Sequence, residues 1–395
     1  MEICFLFVLF CTLNFFLLLI ILRRDTRTQT SMADVIFVTV YLHDINNYKE
    51  FNTLYSEFLK KQGCTSSMPA RACFAVEELP RHAMIEIECV ACTKGTSQST
   101  GNCTTPPKYA SWRRSGDIVW VSGMIGDDMK ADVKTQTTEA LKHLVTCLKD
   151  AGSSPEKVTK VTVYLADISY YAKMNEAYAQ VFGVNGAAPP ARAAFAVKDL
   201  PLGAKVEIQA IAYSGMNELE PVSGASAVKV YTPAIVVDDL VFCSGQVALD
   251  PKSKKKELVG AGDIVKETTQ ALKNLQALLE RSGSSLSSVK MVNIFLKDMN
   301  DYSKVNEVYR RFFKDKTCFP ARACVAVKDL PLGALVEIEC KADRVKSMPI
   351  FTSKNMKIAA VAVLSIGVVV GLASYFLTAG SSTKKKKVVT LRRRR

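Results

Sequence analysis

Residues 190–208, PARAAFAVKDLPLGAKVEI, return almost unchanged at residues 320–338 as PARACVAVKDLPLGALVEI, with 16 of 19 positions identical. The Pro-Ala-Arg triplet also occurs a third time, so that Arg71, Arg192 and Arg322 each precede a glutamate by fifteen residues: Glu86, Glu207 and Glu337. Repetition on this scale bounds the architecture before any single element is read. In each copy an extended stretch runs through a Leu-Pro turn into an alternating strand. In the last copy Val336, Ile338 and Cys340 face one way and Glu337 and Glu339 the other. The pattern predicts two adjacent strands that hold a cation and a carboxylate close together.

Upstream of the last copy, Leu240–Ser244 reads as a strand. Residues 263–282 place Ile264, Val265, Thr268, Ala271, Leu272, Leu275, Leu278 and Leu279 at helical spacing, with Asp263 as N-cap and Gly283 as the stop. A strand at 289–297 and a helix at 301–313 complete the unit. The middle copy repeats the order, with strands at 117–122 and 158–166, helices at 131–151 and 170–182, and final strands at 191–197 and 204–212. The first copy begins at the third of these elements: a strand at 34–42, a helix at 47–60 and the two final strands. Such a half-sheet exposes a large apolar face, so it must pack on another unit or be the remnant of a longer parent. The fold class is α+β, with two helices on one face of each sheet.

These positions resemble the signature of the RidA family, the YjgF-type reactive-intermediate deaminases, also described as liver perchloric-acid-soluble proteins. In that pattern a tyrosine stands thirteen residues before a Ser-Gly pair, an asparagine opens the second helix, and the Pro-Ala-Arg and glutamate follow. Tyr109, Ser122, Gly123, Asn175, Arg192 and Glu207 fit it once, and Tyr231, Ser244, Gly245, Asn306, Arg322 and Glu337 fit it again. The resemblance covers residues 105–213 and 226–343 as full units and 34–92 as a partial one. It implies a chorismate-mutase-like fold and trimers whose sheets form a central barrel, with active sites in the clefts between subunits. Two and a half units on one chain then imply an internal pseudo-trimer, a homo-oligomer, or independent beads on the linkers near 93–107 and 214–227.

By the same resemblance the activity is hydrolysis of 2-imino acids, such as 2-iminobutanoate and 2-iminopropanoate, to 2-keto acids and ammonia. Arginine suits the substrate carboxylate because its planar guanidinium binds through two parallel hydrogen bonds. A glutamate can orient or deprotonate water, and hydroxyls can stabilise the departing amine. The resemblance gives these roles to Arg322, Glu337, Tyr231 and Ser244, with Gly245, Asn306 and Cys324 lining the pocket. Arg192 and Glu207 are the corresponding pair in the middle unit, with Tyr109, Ser122, Gly123 and Asn175 around them. No metal or organic cofactor is required. Met124 stands where the last unit has Gln246, and the loop that follows is nine residues shorter, so the site is expected in the last unit or as a composite of both. The first copy, with Asn52, Arg71, Cys73 and Glu86, cannot complete a site alone. Rival readings are a non-catalytic carboxylate-binding scaffold or sensor, and a module derived from the RidA-like part of diphthine-ammonia ligases, although no nucleotide-binding glycine loop precedes the repeats.

Composition is ordinary for a globular protein, at 48% apolar and 23% charged residues. The ends depart from it. Residues 3–22 and 358–379 are apolar runs long enough to span a bilayer as helices, the first read as an anchor or a signal segment. The expectation is therefore a membrane protein with one or two terminal transmembrane helices, membrane lipid as a partner, and its folded units facing the cytosol. The tail at 380–395 carries eight basic residues against a net charge of +14, so charge gives no case for nucleic-acid binding. Twelve cysteines show no disulfide framework. Cys89 and Cys92 form a CxxC, but on a strand that spacing sends them to opposite faces. Three histidines leave little material for a zinc or Ser-His-Asp site.

Overall fold

The computed structural model describes residues 3–11 by their backbone, together with 31–64, 68–92, 98–102, 109–184, 186–223, 230–253, 255–314 and 319–345. The first unit comprises β1 (Ile3–Cys11), β2 (Val35–Leu42), α1 (Tyr48–Lys61), β3 (Ala70–Ala75) and β4 (Ile85–Cys92), in the sheet order β1-β4-β2-β3. The second has β5 (Gln98–Thr100), β6 (Trp112–Ser115), β7 (Ile118–Met124), α2 (Val133–Asp150), β8 (Val158–Leu165), α3 (Tyr171–Tyr178), β9 (Ala191–Ala196) and β10 (Val206–Tyr213), in the order β5-β6-β7-β10-β8-β9. The third repeats it with β11 (Glu220–Val222), β12 (Ala234–Val237), β13 (Leu240–Cys243), α4 (Ile264–Arg281), β14 (Val289–Leu296), α5 (Tyr302–Phe312), β15 (Ala321–Ala326) and β16 (Val336–Asp343).

In every unit the strand carrying Pro-Ala-Arg runs parallel to the strand before it, a pairing that needs the intervening helix as its crossover. The long helices start where an aspartate satisfies free N–H groups: Asp132 accepts from Thr135, and Asp263 from Val265 and Lys266. Past α4, Gly283 takes a φ of 69°, the left-handed conformation that closes a helix C-terminus. One face of α4 buries Leu272, Leu275, Leu278 and Leu279 against its sheet, and each such side chain stabilises the fold by about 1.5–3 kcal/mol. At matching helix positions, Gln136 and Glu267 accept the backbone N–H groups of Lys205 and Leu335 at 2.8 Å. Each contact fastens the turn that precedes the last strand of its unit.

The faces of the three sheets turned away from the helices meet in one shared core containing Phe37, Tyr41, Phe74, Trp120, Tyr164, Phe195, Phe242 and Phe295. Rings interlock across unit boundaries, with Phe74 4.0 Å from Tyr164 and Phe195 4.1 Å from Phe295 between centroids. Backbone hydrogen bonds close a ring through all three repeats: Ala75 N to Asp199 O at 2.9 Å, Ala196 N to Asp329 O at 2.9 Å, and Ala326 N to Glu78 O at 2.9 Å. The three units are therefore one internal pseudo-trimer, not beads on linkers.

Two expectations are corrected. The apolar run at residues 3–22 is not a membrane helix over its first half: Ile3–Cys11 is a strand paired antiparallel with β4, the place that β7 and β13 hold beside β10 and β16. A strand whose residues are all apolar carries no alternation, so periodicity alone does not separate it from a spanning helix. No helix among the described residues is long and apolar enough to cross a membrane, so the flanking transmembrane helices, the membrane location and the lipid partner have no support. Residues 358–379 and the basic tail lie outside the described residues. The first unit, read as a three-stranded half-sheet, becomes a four-stranded sheet by recruiting β1.

Candidate functional site

Arg322 and Glu337 cannot meet within their own unit. Strand β14 lies between β15 and β16, which sets the two residues two strands apart, about 10 Å across the sheet. They also point to opposite faces. Cys324, two residues from Arg322, packs with the helices, whereas Glu337 alternates with Val336 and Ile338, which pack there. The expectation of a cation and carboxylate joined by adjacent strands is corrected accordingly, and the partners come from neighbouring units.

In one cleft, Arg192 of the second unit meets Tyr231, Ser244, Gly245 and Glu337 of the third. The Arg192 guanidinium carbon lies 5.4 Å from the Tyr231 ring centroid and 4.7 Å from that of Tyr178. Its Nη1 donates to Asn175 Oδ1 at 2.7 Å and its Nη2 to the Tyr171 hydroxyl at 3.0 Å. A second cleft joins Arg71 of the first unit to Tyr109, Ser122, Gly123 and Glu207 of the second, with Tyr109 4.7 Å from the guanidinium carbon. Both arginines are buried to 3% exposure. Arg71 Nη1 and the neighbouring unit-one Asn52 Oδ1 are both buried without a hydrogen-bond partner. A buried guanidinium donor left open in this way is a docking point for a carboxylate.

Sequence reasoning overlooked the tyrosines that hold these arginines. Tyr48, Asn52 and Tyr55, Tyr171, Asn175 and Tyr178, and Tyr302, Asn306 and Tyr309 recur at i, i+4 and i+7 on helices α1, α3 and α5. That thrice-repeated spacing was available in the sequence.

The serines have a different task from the one the sequence suggested. Ser244 Oγ accepts the backbone N–H of Arg192 at 2.8 Å and donates to Thr232 O at 2.6 Å. Ser122 does the same for Arg71 and Ala110, at 2.8 and 2.6 Å. With its proton committed to a carbonyl, the hydroxyl clips two units together and positions the arginine strand. The glycines that follow give the carboxylates room. A Cβ built on Gly245 would stand 1.7 Å from Glu337 Oε1, and one on Gly123 would stand 1.8 Å from Glu207 Oε1.

Burial sets the electrostatics. It pushes the Glu337 carboxyl up to about 8, aided by Glu339 and opposed by Lys160 and Arg192. Glu207 is likewise pushed to about 8 by burial, opposed by the Cys73 backbone N–H and by Arg71. Tyr231 rises to about 12 from burial and remains a phenol.

Arg322 faces a third and different cleft. Its Nη1 donates to Asn306 Oδ1 at 2.7 Å and its Nη2 to the Tyr302 hydroxyl at 3.3 Å, and the carboxylate opposite is Glu86 of the first unit, pushed up to about 8 by burial. Cys324 lines this cleft, and burial raises its thiol to about 12. Of the two expected arrangements, a site within the last unit and a composite of both units, the geometry has the composite: Tyr231, Ser244, Gly245 and Glu337 lie at Arg192, whereas Arg322, Asn306 and Cys324 face Glu86.

Residues 25–93, 104–214 and 223–343 each match the family model described as endoribonuclease L-PSP. The chain belongs to that family, the RidA proteins. A RutC family protein of Synechocystis is 38% identical over 127 residues, which is 32% of this chain and 95% of its own length. A human protein named 2-iminobutanoate/2-iminopropanoate deaminase is 40% identical over 116 residues, 29% of this chain and 81% of its own. Among solved structures, yeast Mmf1 is 35% identical, covering 32% of this chain and 99% of that one, with a TM-score of 0.30. Each of these matches spans about one repeat of this triplicated RidA chain.

Proposed function

We propose that the chain hydrolyses small 2-imino acids of the 2-iminobutanoate and 2-iminopropanoate class to 2-keto acids and ammonia, at the Arg192/Glu337 and Arg71/Glu207 clefts. The observation that carries this reading is the twofold occurrence of a buried arginine facing a buried glutamate from the next unit, whose carboxyl burial pushes up to about 8. Similarity to relatives named for this activity supports it.

The substrate carboxylate docks on the guanidinium, which Asn175 and Tyr171 hold flat. The protonated carboxyl of Glu337 gives its proton to the imine nitrogen, making the carbon electrophilic. The resulting carboxylate then takes a proton from the attacking water, whose oxygen bonds to that carbon. The C–N bond breaks as the nitrogen receives the second water proton, so that imine and water become keto acid and ammonia. The Tyr231 phenol, against the guanidinium, closes the pocket and offers a hydroxyl to the nitrogen as it leaves.

The test is ammonia release from 2-iminobutanoate by the full chain and by Arg71→Ala, Arg192→Ala, the double variant and Arg322→Ala. The double variant is expected to lose about a hundredfold or more, each single variant to retain the other cleft's share, and Arg322→Ala to stay near wild type. A folded wild-type chain that releases no ammonia yet binds propionate saturably at these arginines leaves a carboxylate-binding module instead.

A further inference from the structure

The third cleft has been rebuilt by the recruitment of β1. In β7 the residues bulged between Val121 and Met124, opposite Ala210 and Ile208, are Ser122 and Gly123. In β1 the same irregularity falls between Leu6 and Leu9, opposite Cys89 and Ile87, and it contains Phe7 and Val8. The serine clip and the glycine that admits the glutamate are therefore replaced at their register positions. Among the described residues no counterpart of Tyr109 or Tyr231 lines this cleft.

The lining also gains charge. The turn after β3 places Arg81 where the other repeats have Leu202 and Leu332, all three with φ near 60°. Arg310 follows Tyr309 where Ser56 follows Tyr55 and Ala179 follows Tyr178. Arg81, Arg310 and Arg322 line one cleft of about 770 Å³, whose other walls include Tyr309, Phe319 and Glu86. Burial pushes the Glu86 carboxyl up to about 8, which weakens the acidic group that faces these arginines in the cleft lining. A volume of this order leaves room for a ligand that carries a second anionic group beyond the one held by Arg322.

We propose that the Arg322 cleft is a binding site for a small organic dianion, carrying either two carboxylates or a phosphate, which it holds without hydrolysis. One anionic group sits on Arg322, in the frame of Asn306 and Tyr302. The second is met by Arg81 and Arg310, the arginines that neither other cleft possesses.

Calorimetric titration of the full chain with succinate, inorganic phosphate and propionate tests this against Arg81→Leu/Arg310→Ala, which restores residue types found in the other clefts. The expected result is one succinate per chain, bound at least tenfold more tightly than propionate at that site, and at least a tenfold loss in the double variant with its thermal midpoint unchanged. Phosphate that competes with succinate identifies the phosphate-bearing class, and phosphate that does not compete identifies the dicarboxylates. Succinate binding unchanged in the double variant, or abolished by Arg192→Ala, would overturn the proposal. Because this readout is binding at Arg81 and Arg310, it stands or falls separately from ammonia release at the other two clefts.

Discussion

At the residue scale the proposed hydrolysis turns on the proton of Glu337. Burial in a wall of strands disfavours the carboxylate, and the opposing charges of Lys160 and Arg192 do not restore its ordinary acidity, so the group titrates at about 8. A carboxyl poised there can give a proton and take it back at neutral pH, which a fully ionised glutamate cannot. The sign follows from the proposed mechanism: there the protonated form begins the reaction, so ionisation should remove activity as pH rises through about 8. In an Arg71→Ala background, which leaves the Arg192 cleft to act alone, kcat/KM for 2-iminobutanoate should fall along an alkaline limb near that value. Glu337→Gln should lower kcat/KM by about 10²–10⁴-fold and remove the limb. A profile flat through pH 9 with Glu337 intact would rule out this role.

At the scale of elements, strands that carry chemistry also join the units. Ser244 and Gly245 lie just past β13, where the hydroxyl fixes the Arg192 strand and the missing side chain makes room for Glu337. Gly245→Ala should therefore leave the fold intact and displace the carboxylate. In the Arg71→Ala background we expect about a hundredfold loss of turnover with an unchanged circular dichroism spectrum, since a shift of about 1 Å is enough for that loss. Wild-type turnover in this variant would show that Glu337 is not the proton carrier. Most elements were legible in the sequence, because helical spacing gives α4 one apolar face and β16 alternates apolar residues with glutamates. Two things were not. The pairing of Arg192 with Glu337 depends on which units abut, and a repeat reveals identical parts without revealing their order in space. The role of β1 was hidden because ICFLFVLFC is apolar at every position and carries no period.

At the scale of the molecule, one chain holding three unlike copies can vary what a symmetric trimer would repeat. Around the central axis, Glu88, Gln209 and Glu339 occupy equivalent positions, with Lys160 and Lys341 among them and Asn293 between the two glutamates. Lys160 Nζ lies 2.6 Å from Glu339 and donates to Cys243 O at 2.6 Å, with both charged side chains buried. Such a pair ties the second unit to the third, and removing one member leaves a buried charge uncompensated. Lys160→Met should therefore cost about 3–5 kcal/mol in denaturant unfolding, while Lys160→Met/Glu339→Leu should recover most of the loss. Equal destabilisation in the single and double variants would deny the coupling.

The same interior makes stability depend on pH in a defined direction. Burial holds Glu86, Glu207 and Glu337 up at about 8 and Glu88 at about 7, all above the 4.5 of an unfolded glutamate. Between these values the unfolded chain has released protons that the folded chain keeps, so rising pH favours unfolding. The contribution is complete below about pH 4.5 and is lost as pH passes through 7 to 8. Urea midpoints measured at pH 6 and pH 9 should fall with rising pH, and Glu88→Gln should flatten the drop. A midpoint that holds or rises over this range would mean that these four carboxyls are already ionised in the folded protein.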